Sequence, residues 1–478
     1  MEAGLHDRVY HPPAQDPAGI VHLGLGAFFR AFGAVYIAEA MAISGGDWGI
    51  IGVSLQSPGT RDRLRPQGWA YTALELAPEG ARAQTVTVLR DVLVAPENPR
   101  AVLDAMAAPT THIVSLTVTE KGYCHEPATG RLRADHPDIL HDLAAALPKS
   151  APGYLVRALE LRRAQGLAPF TVLCCDNLPE NGRVLRGVVL ELARLIDPSL
   201  AEWIETQGAF PSTMVDRIVP ATTEADLARV ADLTGRPDAA PVLHEPFRQW
   251  VVEDRFCGPR PDFAAVGVQM VADVTPFEHM KLRMLNGTHS ALAYLGYLAG
   301  HETVSDAMAD PVFPRFLSQL WQHEIIPSLA PPEGVDLVAY AGALSARYAN
   351  PAIRHRTWQI AMDGSQKLPQ RILGTIADRR AVGCRAPGLT LAVAAWMRYA
   401  SGKGERGDRI EVKDPLARQL AALWCETPAD TVAGFLALSE VFPTSLRQDT
   451  GFTQDLTLAL TGLTGFGARA MAERAIHG

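Results

Sequence analysis

The residues best suited to chemistry lie in one short run, PFEHMKLRMLNGTHS (residues 276–290), which carries Glu278, Lys281, Asn286 and His289. On an α-helix, at about 100° per residue, these four fall within one sector roughly 140° wide. Four polar groups on one side of an otherwise apolar helix need partners if they are buried. Oxidation of an alcohol by hydride transfer requires removal of the hydroxyl proton. A lysine performs that step without a metal when desolvation or neighbouring positive charge favours its neutral amine. The Asn286 amide can donate to the developing alkoxide, and His289 can hold a substrate hydroxyl. A solvated polar stripe on an amphipathic helix has the same pattern, and for Lys281 taken alone that is the stronger reading.

Elements that would carry such a site are visible upstream. Runs rich in Val, Ile and Leu at 19–23, 49–55, 112–118 and 170–175 alternate with helical patterns near 31–43, 100–107 and 154–165. Continuous apolar strands separated by helices suit a parallel sheet covered on both faces, so a doubly wound α/β domain is expected. The segments 71–76 and 85–89, separated by APEGARAQ, read as an inserted hairpin. Beyond residue 276 long helical patterns dominate (277–298, 314–323, 337–348, 416–424). The chain is therefore expected to divide into an α/β domain, 1–275, and a mainly α-helical domain, 276–478.

The first strand runs into GLGAFFRAF, where Gly24 and Gly26 meet the first two requirements of a dinucleotide-binding turn: a sharp bend, then close approach of backbone to pyrophosphate. Ala27 and Phe28 open the following helix, whose N–H groups would face the phosphates, and Arg30 could add charge. An ordinary strand-to-helix turn also uses glycine often, and for the two glycines alone it is an equal reading. The second strand ends VSLQS without an acidic residue for the ribose, and Arg61, Arg63 and Arg65 follow, which leaves NADP open beside NAD. Two other stretches stand out. CDNLPENG (175–182) follows a predicted strand, so Asn177 belongs at the sheet's ligand-binding edge, while Asp176 or Asn181 could simply cap the next helix. TMVDRIVP (213–220) sets Asp216 and Arg217 in an apolar run, where a local ion pair is as good a reading as a site.

Composition narrows the class. A net charge of −8 over 478 residues gives no global attraction to nucleic acid or anionic membrane. The polar, proline-containing start is unlike a secretory signal, and no apolar stretch is expected to approach the roughly 18 residues of a membrane span. Six cysteines without a C-x-x-C pair argue against a zinc or disulfide framework. A cytoplasmic enzyme working on a small molecule, as a monomer or small homo-oligomer, is the expectation. An α/β methyltransferase also has a G-x-G turn, but it would leave Lys281, Asn286 and His289 without a task.

Taken together, GLGAFFRA, SLTVTEKGY (115–123), CDNLPENG, TMVDRIVP, KLRMLNGTHS (281–290) and DGSQKLPQR (363–371) resemble the polyol-specific long-chain dehydrogenase family in the same order over most of the chain. The resemblance implies a metal-independent, NAD-dependent enzyme with a Rossmann-type N-terminal domain and a helical substrate-binding domain. It implies that Lys281 is the general acid/base, that Asn177 and Asn286 hold the alkoxide, that His289 contacts substrate and that Asp216 lies near nicotinamide and substrate. Glu278 would exchange the lysine's proton with solvent, and Lys367 would contact substrate or its neighbours. Relatives usually carry histidine where this chain has Phe29 and Phe32. TVTEKGYC, HEPFRQWVVED and RHRTWQIAMDGSQKLPQR look more like the sugar-acid branch, which interconverts D-mannonate and D-fructuronate, than the mannitol or arabinitol branch. A carboxylate needs a cationic partner, and Arg354, His355 and Arg356 form a basic cluster of the right type, with surface charge as the equal alternative.

Overall fold

The computed structural model describes residues 18–126 and 129–477. It divides into two compact units, Met1–Thr275 and Pro276–Gly478. Among the described residues the first unit holds eleven strands: β1 (Ala18–Leu23), β2 (Gly49–Ser54), β3 (Tyr71–Ala77), β4 (Gly80–Val86), β5 (Leu89–Val94), β6 (Ile113–Leu116), β7 (Thr171–Cys174), β8 (Thr213–Asp216), β9 (Val242–His244), β10 (Gln249–Glu253) and β11 (Gln269–Val271). Its main sheet runs β5-β2-β1-β6-β7, with every neighbouring pair parallel. Numbered only among themselves, these strands lie in the order 3-2-1-4-5, the Rossmann arrangement, and the order reverses between β1 and β6.

Both faces of the sheet are covered, which explains the unbroken apolar runs. Along β1, Val21 and Leu23 enter one hydrophobic cluster while Ile20 enters the other. The same alternation sends Val114 and Leu116 of β6 one way and Ile113 the other. The helical pattern near 31–43 is realised as two helices, Ala27–Ala31 and Gly33–Ser44, broken where Phe32 adopts φ −126°, ψ −85°. This corrects one expectation: Ala27–Ser44 is long and apolar enough, by length and composition alone, to cross a membrane. Its residues mostly pack inside the unit, as those of a core helix do, with Ala31, Ala34, Val35, Ile37 and Ala40 all buried.

The inserted hairpin is present and starts at Tyr71 as expected, but its second strand starts earlier. β3 and β4 pair antiparallel from Tyr71↔Val86 to Ala77↔Gly80, so the turn is only Pro78-Glu79 and most of APEGARAQ is strand. β9 adds to β3 in parallel, and β8, β10 and β11 form a further small sheet. β5 reaches past the expected hairpin to Val94 and belongs to the main sheet.

The second unit is helical. Thr288–Leu298 and Pro387–Ala400 are buried nearly all round, as central helices of a bundle are. The pattern at 277–298 is not one α-helix: Thr275–Met280 gives way to a π-helical stretch, Lys281–Gly287, before α-helix resumes at Thr288. Two more π-helical stretches occur, Leu320–Ile325 and Pro369–Leu373.

Candidate active site

In the first unit the candidate residues gather at the carboxyl ends of β1, β6 and β7, where open α/β sheets bind ligands. Gly24 has φ +89°, and a Cβ there would lie 2.3 Å from the Thr117 carbonyl oxygen, so β1 can turn beside the end of β6 only as glycine. The turn is fastened on both sides. The Gly24 N–H donates to the Val53 carbonyl at 2.9 Å, and the Thr117 hydroxyl donates to the Gly24 carbonyl at 2.9 Å. Beneath it the buried His22 ring bridges the Ser115 and Thr117 hydroxyls at 2.9 Å each, and burial lowers its pKa to about 3, which keeps it neutral.

Gly26 differs. It is exposed, has φ −91°, and a Cβ there would meet nothing nearer than the Gly24 carbonyl at 3.8 Å. No neighbour among the described residues requires glycine at this position. A cradle that a Cβ would fill only from outside is what a dinucleotide pyrophosphate needs, so the turn fits that group. Ala27 and Phe28 are half-buried beside it. Arg30 corrects an expectation: it is buried, donates to the Ala240 carbonyl and lies over the Tyr71 ring, so its guanidinium anchors the turn to the interior. Phe29 stacks on His22 and Phe32 packs against Tyr36 and Trp250, so both phenylalanines at the family's histidine positions are core residues.

Asn177 is exposed in the loop after β7. Its loop is held by Asp176, which accepts from the Val118 N–H at 2.8 Å and the Tyr123 hydroxyl at 2.5 Å. Asn181 is fully buried; its amide donates to the Asp176 and Thr213 carbonyls and accepts from the Thr213 N–H. Neither residue caps the helix Asn181–Ile196, whose N-terminus has no side-chain cap. The asparagine instead ties the Asn177 loop to β8, at whose end Asp216 is buried. Arg217 donates to the Ala31 and Glu245 carbonyls, a second interior anchor.

In the second unit the π-helical stretch changes the geometry of the catalytic candidates. Lys281 and Asn286 are the outer members of the sector drawn above, about 140° apart on an α-helix because they are five residues apart. Bonding of i to i+5 in a π-helix stacks residues five apart and brings the pair to one side. Lys281 is 6% exposed and His289 8%, while Glu278 and Asn286 are half-buried.

His289 stands at the centre of a group the sequence did not fully disclose. Its ring stacks on Tyr348 (centroids 5.2 Å, 14°) and meets His355 edge-on at 4.9 Å. Burial, followed by the neighbouring His355 ring and the cationic Arg371, Arg347 and Lys367, holds its pKa well below the usual value, and burial with Lys367 lowers His355 to about 4. Both imidazoles are therefore neutral. Each has a buried ring nitrogen without a hydrogen-bond partner among the described residues, Nε2 of His289 and Nδ1 of His355. Buried polar atoms are rarely left so, and a hydroxyl group is one chemical partner that suits both nitrogens.

Of the expected basic cluster, only His355 turns inward. Arg354 and Arg356 are exposed, and Arg356 makes a loose 3.8 Å pair with Glu302. The cations near His289 are instead Lys367, which donates to the Met362 carbonyl at 2.6 Å, Arg371, which donates to the Ser290 hydroxyl at 3.2 Å, and the buried Arg347. Arg371 arrives on the third π-helical stretch. Its carbonyl lies where a Cβ on Gly287 would be only 2.6 Å away, so glycine at 287 permits the close approach. Arg371 stood at the end of a quoted motif, but nothing in its spacing placed it beside His289.

Comparison with known proteins gives a consistent result. Residues 18–265 match the mannitol dehydrogenase Rossmann domain and residues 273–464 the mannitol dehydrogenase C-terminal domain. The chain is 48% identical over 457 residues to D-mannonate oxidoreductase of Escherichia coli K12, covering 94% of each. It is 41% identical over 468 residues to mannitol 2-dehydrogenase of Pyricularia oryzae, covering 96% of this chain and 93% of the relative. Among solved structures, Pseudomonas fluorescens mannitol 2-dehydrogenase in ternary complex with NAD and D-mannitol superposes with TM-score 0.88 at 38% identity, covering 97% of this chain and 95% of that one.

Proposed function

The chain belongs to the mannitol dehydrogenase family, an oxidoreductase family acting on CH–OH groups, and from that premise we propose that it interconverts D-mannonate, or a closely related hexonate, with the corresponding keto acid, D-fructuronate for mannonate, using NAD. The Gly24–Phe28 turn would hold NAD, which when bound would supply hydride acceptance and return. Lys281 takes the hydroxyl proton during oxidation and returns it during reduction. Asn286 and Asn177 supply amide donors to the oxygen as it gains negative charge, which is where fixed donors contribute most. His289 and His355, both neutral, offer hydrogen bonds to substrate hydroxyls without adding charge. Asp216 orients substrate and nicotinamide, and Glu278 passes the proton between Lys281 and water. No step calls for a metal, so activity is expected to survive dialysis against EDTA.

The observation that carries the sugar-acid assignment is the set of cations around His289, namely Lys367, Arg371 and Arg347. A polyol's hydroxyls can accept hydrogen bonds from them but carry no charge to offset theirs, whereas a carboxylate does, bidentately if arginine is its partner. The 48% identity to a D-mannonate oxidoreductase supports the same reading. A mannitol-type polyol is the second reading, favoured by the relatives and the solved structure that bear that name. Initial rates on D-mannonate, D-altronate, D-mannitol and D-arabinitol with NAD and with NADP test it. The reading expects the acids to be preferred, with NAD. Turnover confined to the polyols would refute it.

A further inference from the structure

We propose that Tyr348 is a positioning residue of the active-site helix: together with Trp321 and Thr288 it holds the two peptide planes that precede Asn286. A change from α- to π-bonding and back disturbs the regular pairing of backbone carbonyls, and π-bulges persist where other donors supply the loss. Here the Leu285 carbonyl keeps one backbone partner, the Thr288 N–H, and side chains supply further donors. The Tyr348 hydroxyl donates to the Leu285 carbonyl at 2.7 Å. The Trp321 indole N–H donates to the Met284 carbonyl at 3.0 Å, and the Thr288 hydroxyl donates to the same carbonyl. Tyr348 and Thr288 also meet oxygen to oxygen at 3.1 Å, and since each hydroxyl has one proton, either can donate to the other only in place of its carbonyl.

The placement gives these donors a task beyond stability. The Leu285 carbonyl belongs to the peptide that ends in the Asn286 nitrogen, so the tyrosine hydroxyl fixes the plane from which the Asn286 side chain projects. On its other side the Tyr348 ring stacks on His289, and the Trp321 ring lies over Tyr348 at 6.3 Å and 28°. One side chain thus sets the direction of the proposed alkoxide donor and the plane of the proposed hydroxyl contact. Trp321 belongs to the second π-helical stretch, so one π-bulge supports another.

The inference rests on the proposed roles of Lys281, Asn286 and His289, and the experiment separates the two. Tyr348→Phe keeps the ring against His289 and removes only the hydroxyl. Trp321→Phe removes another of the three donors and serves as the second variant if the first folds poorly. Thr390→Val, which deletes a buried hydroxyl donating to the Ala386 carbonyl at 2.7 Å in Pro387–Ala400, is the control for loss of one such bond elsewhere in the unit. The expected result is a kcat at least tenfold lower for Tyr348→Phe, with KM within threefold. Its basic limb of kcat/KM against pH should move by half a unit or more, and Thr390→Val should match the parent in all three. Parental kcat and pH profile in Tyr348→Phe, or an equal fall in Thr390→Val, would overturn the inference. If Lys281→Ala also retained full activity, the site assignment itself would fail; an inactive Lys281→Ala beside a fully active Tyr348→Phe would reject the positioning role alone.

Discussion

The two glycines of the β1 turn should separate folding from cofactor binding when each is changed to alanine. At Gly24 the φ of +89° costs an L-residue about 1–2 kcal/mol, and a methyl group 2.3 Å from the Thr117 carbonyl oxygen forces a backbone shift costing roughly 1–3 kcal/mol more. Gly24→Ala is thus expected to lose about 2–5 kcal/mol in the first unit, whether or not cofactor is present. At Gly26 the backbone is already in a region open to alanine, and the nearest atom is 3.8 Å from the added carbon. Reduced freedom of the unfolded chain stabilises alanine by about 0.4–1 kcal/mol, and its poorer fit at a helix N-cap offsets a similar amount. Gly26→Ala should therefore melt within about 2 °C of the parent. Its methyl group nevertheless stands where the pyrophosphate must approach, so its NADH dissociation constant should rise at least tenfold. Thermal unfolding without cofactor and NADH fluorescence titration read the two effects independently. Parental NADH affinity in Gly26→Ala would refute the placement of the cofactor at this turn, and a fully stable Gly24→Ala would refute the steric argument.

Other consequences follow from buried titratable groups. Glu324 is 7% exposed, and its carboxylate accepts from the Gly388 and Leu389 N–H groups at 2.7 and 2.8 Å. Burial, only partly offset by these bonds, raises its pKa from 4.5 to about 7. The folded state then binds the proton more tightly than the unfolded state, so this group's contribution is full below pH 4.5 and is lost as pH rises to 7. At roughly 1.4 kcal/mol per pKa unit the loss reaches about 3 kcal/mol, and Glu324→Gln should abolish that slope in a series of melts between pH 5 and 7.5, whatever its absolute stability. His355 acts oppositely: its folded pKa of about 4 lies below the ordinary 6.5, so stability is full above pH 6.5 and declines as pH falls towards 4. His355→Asn should flatten that acid limb. If the Lys367, Arg371 and Arg347 surroundings select an anion, Arg371→Leu should raise KM for mannonate at least tenfold while changing KM for mannitol by less than threefold; equal effects on both would argue against the carboxylate contact.

The main sheet was legible because β1, β2, β6 and β7 are buried on both faces and read as unbroken apolar runs. β4 was not, because its sequence, GARAQTV, alternates exposed and half-buried positions and has the composition of a loop. Pairing with β3 makes it a strand. β5 was obscured by Arg90 and Asp91, charged residues inside a strand of the main sheet. In the second unit the helices were visible but the π-helical stretches were not, since a wheel drawn at α-helical pitch has no means of registering an i to i+5 bond. The consequence is local but chemical: Lys281 and Asn286 face more nearly the same way than the sequence implied. Arg347 and Arg371 lie 58 and 82 positions from His289 along the chain. Only packing could bring them beside it, whereas Arg354 and Arg356, adjacent to His355 in sequence, remain outside.

Lys281 as the proton acceptor for hydride transfer is the claim on which the rest depends, and single-turnover kinetics of Lys281→Ala test it most directly. With D-mannonate and NAD mixed in a stopped-flow instrument, formation of NADH at 340 nm reports the transfer step before product release. Loss of a general base is worth about 10²–10⁴-fold, so the transient should slow by at least a hundredfold while the NADH dissociation constant stays within twofold. A transient at the parental rate, with NADH binding unchanged, would contradict the account.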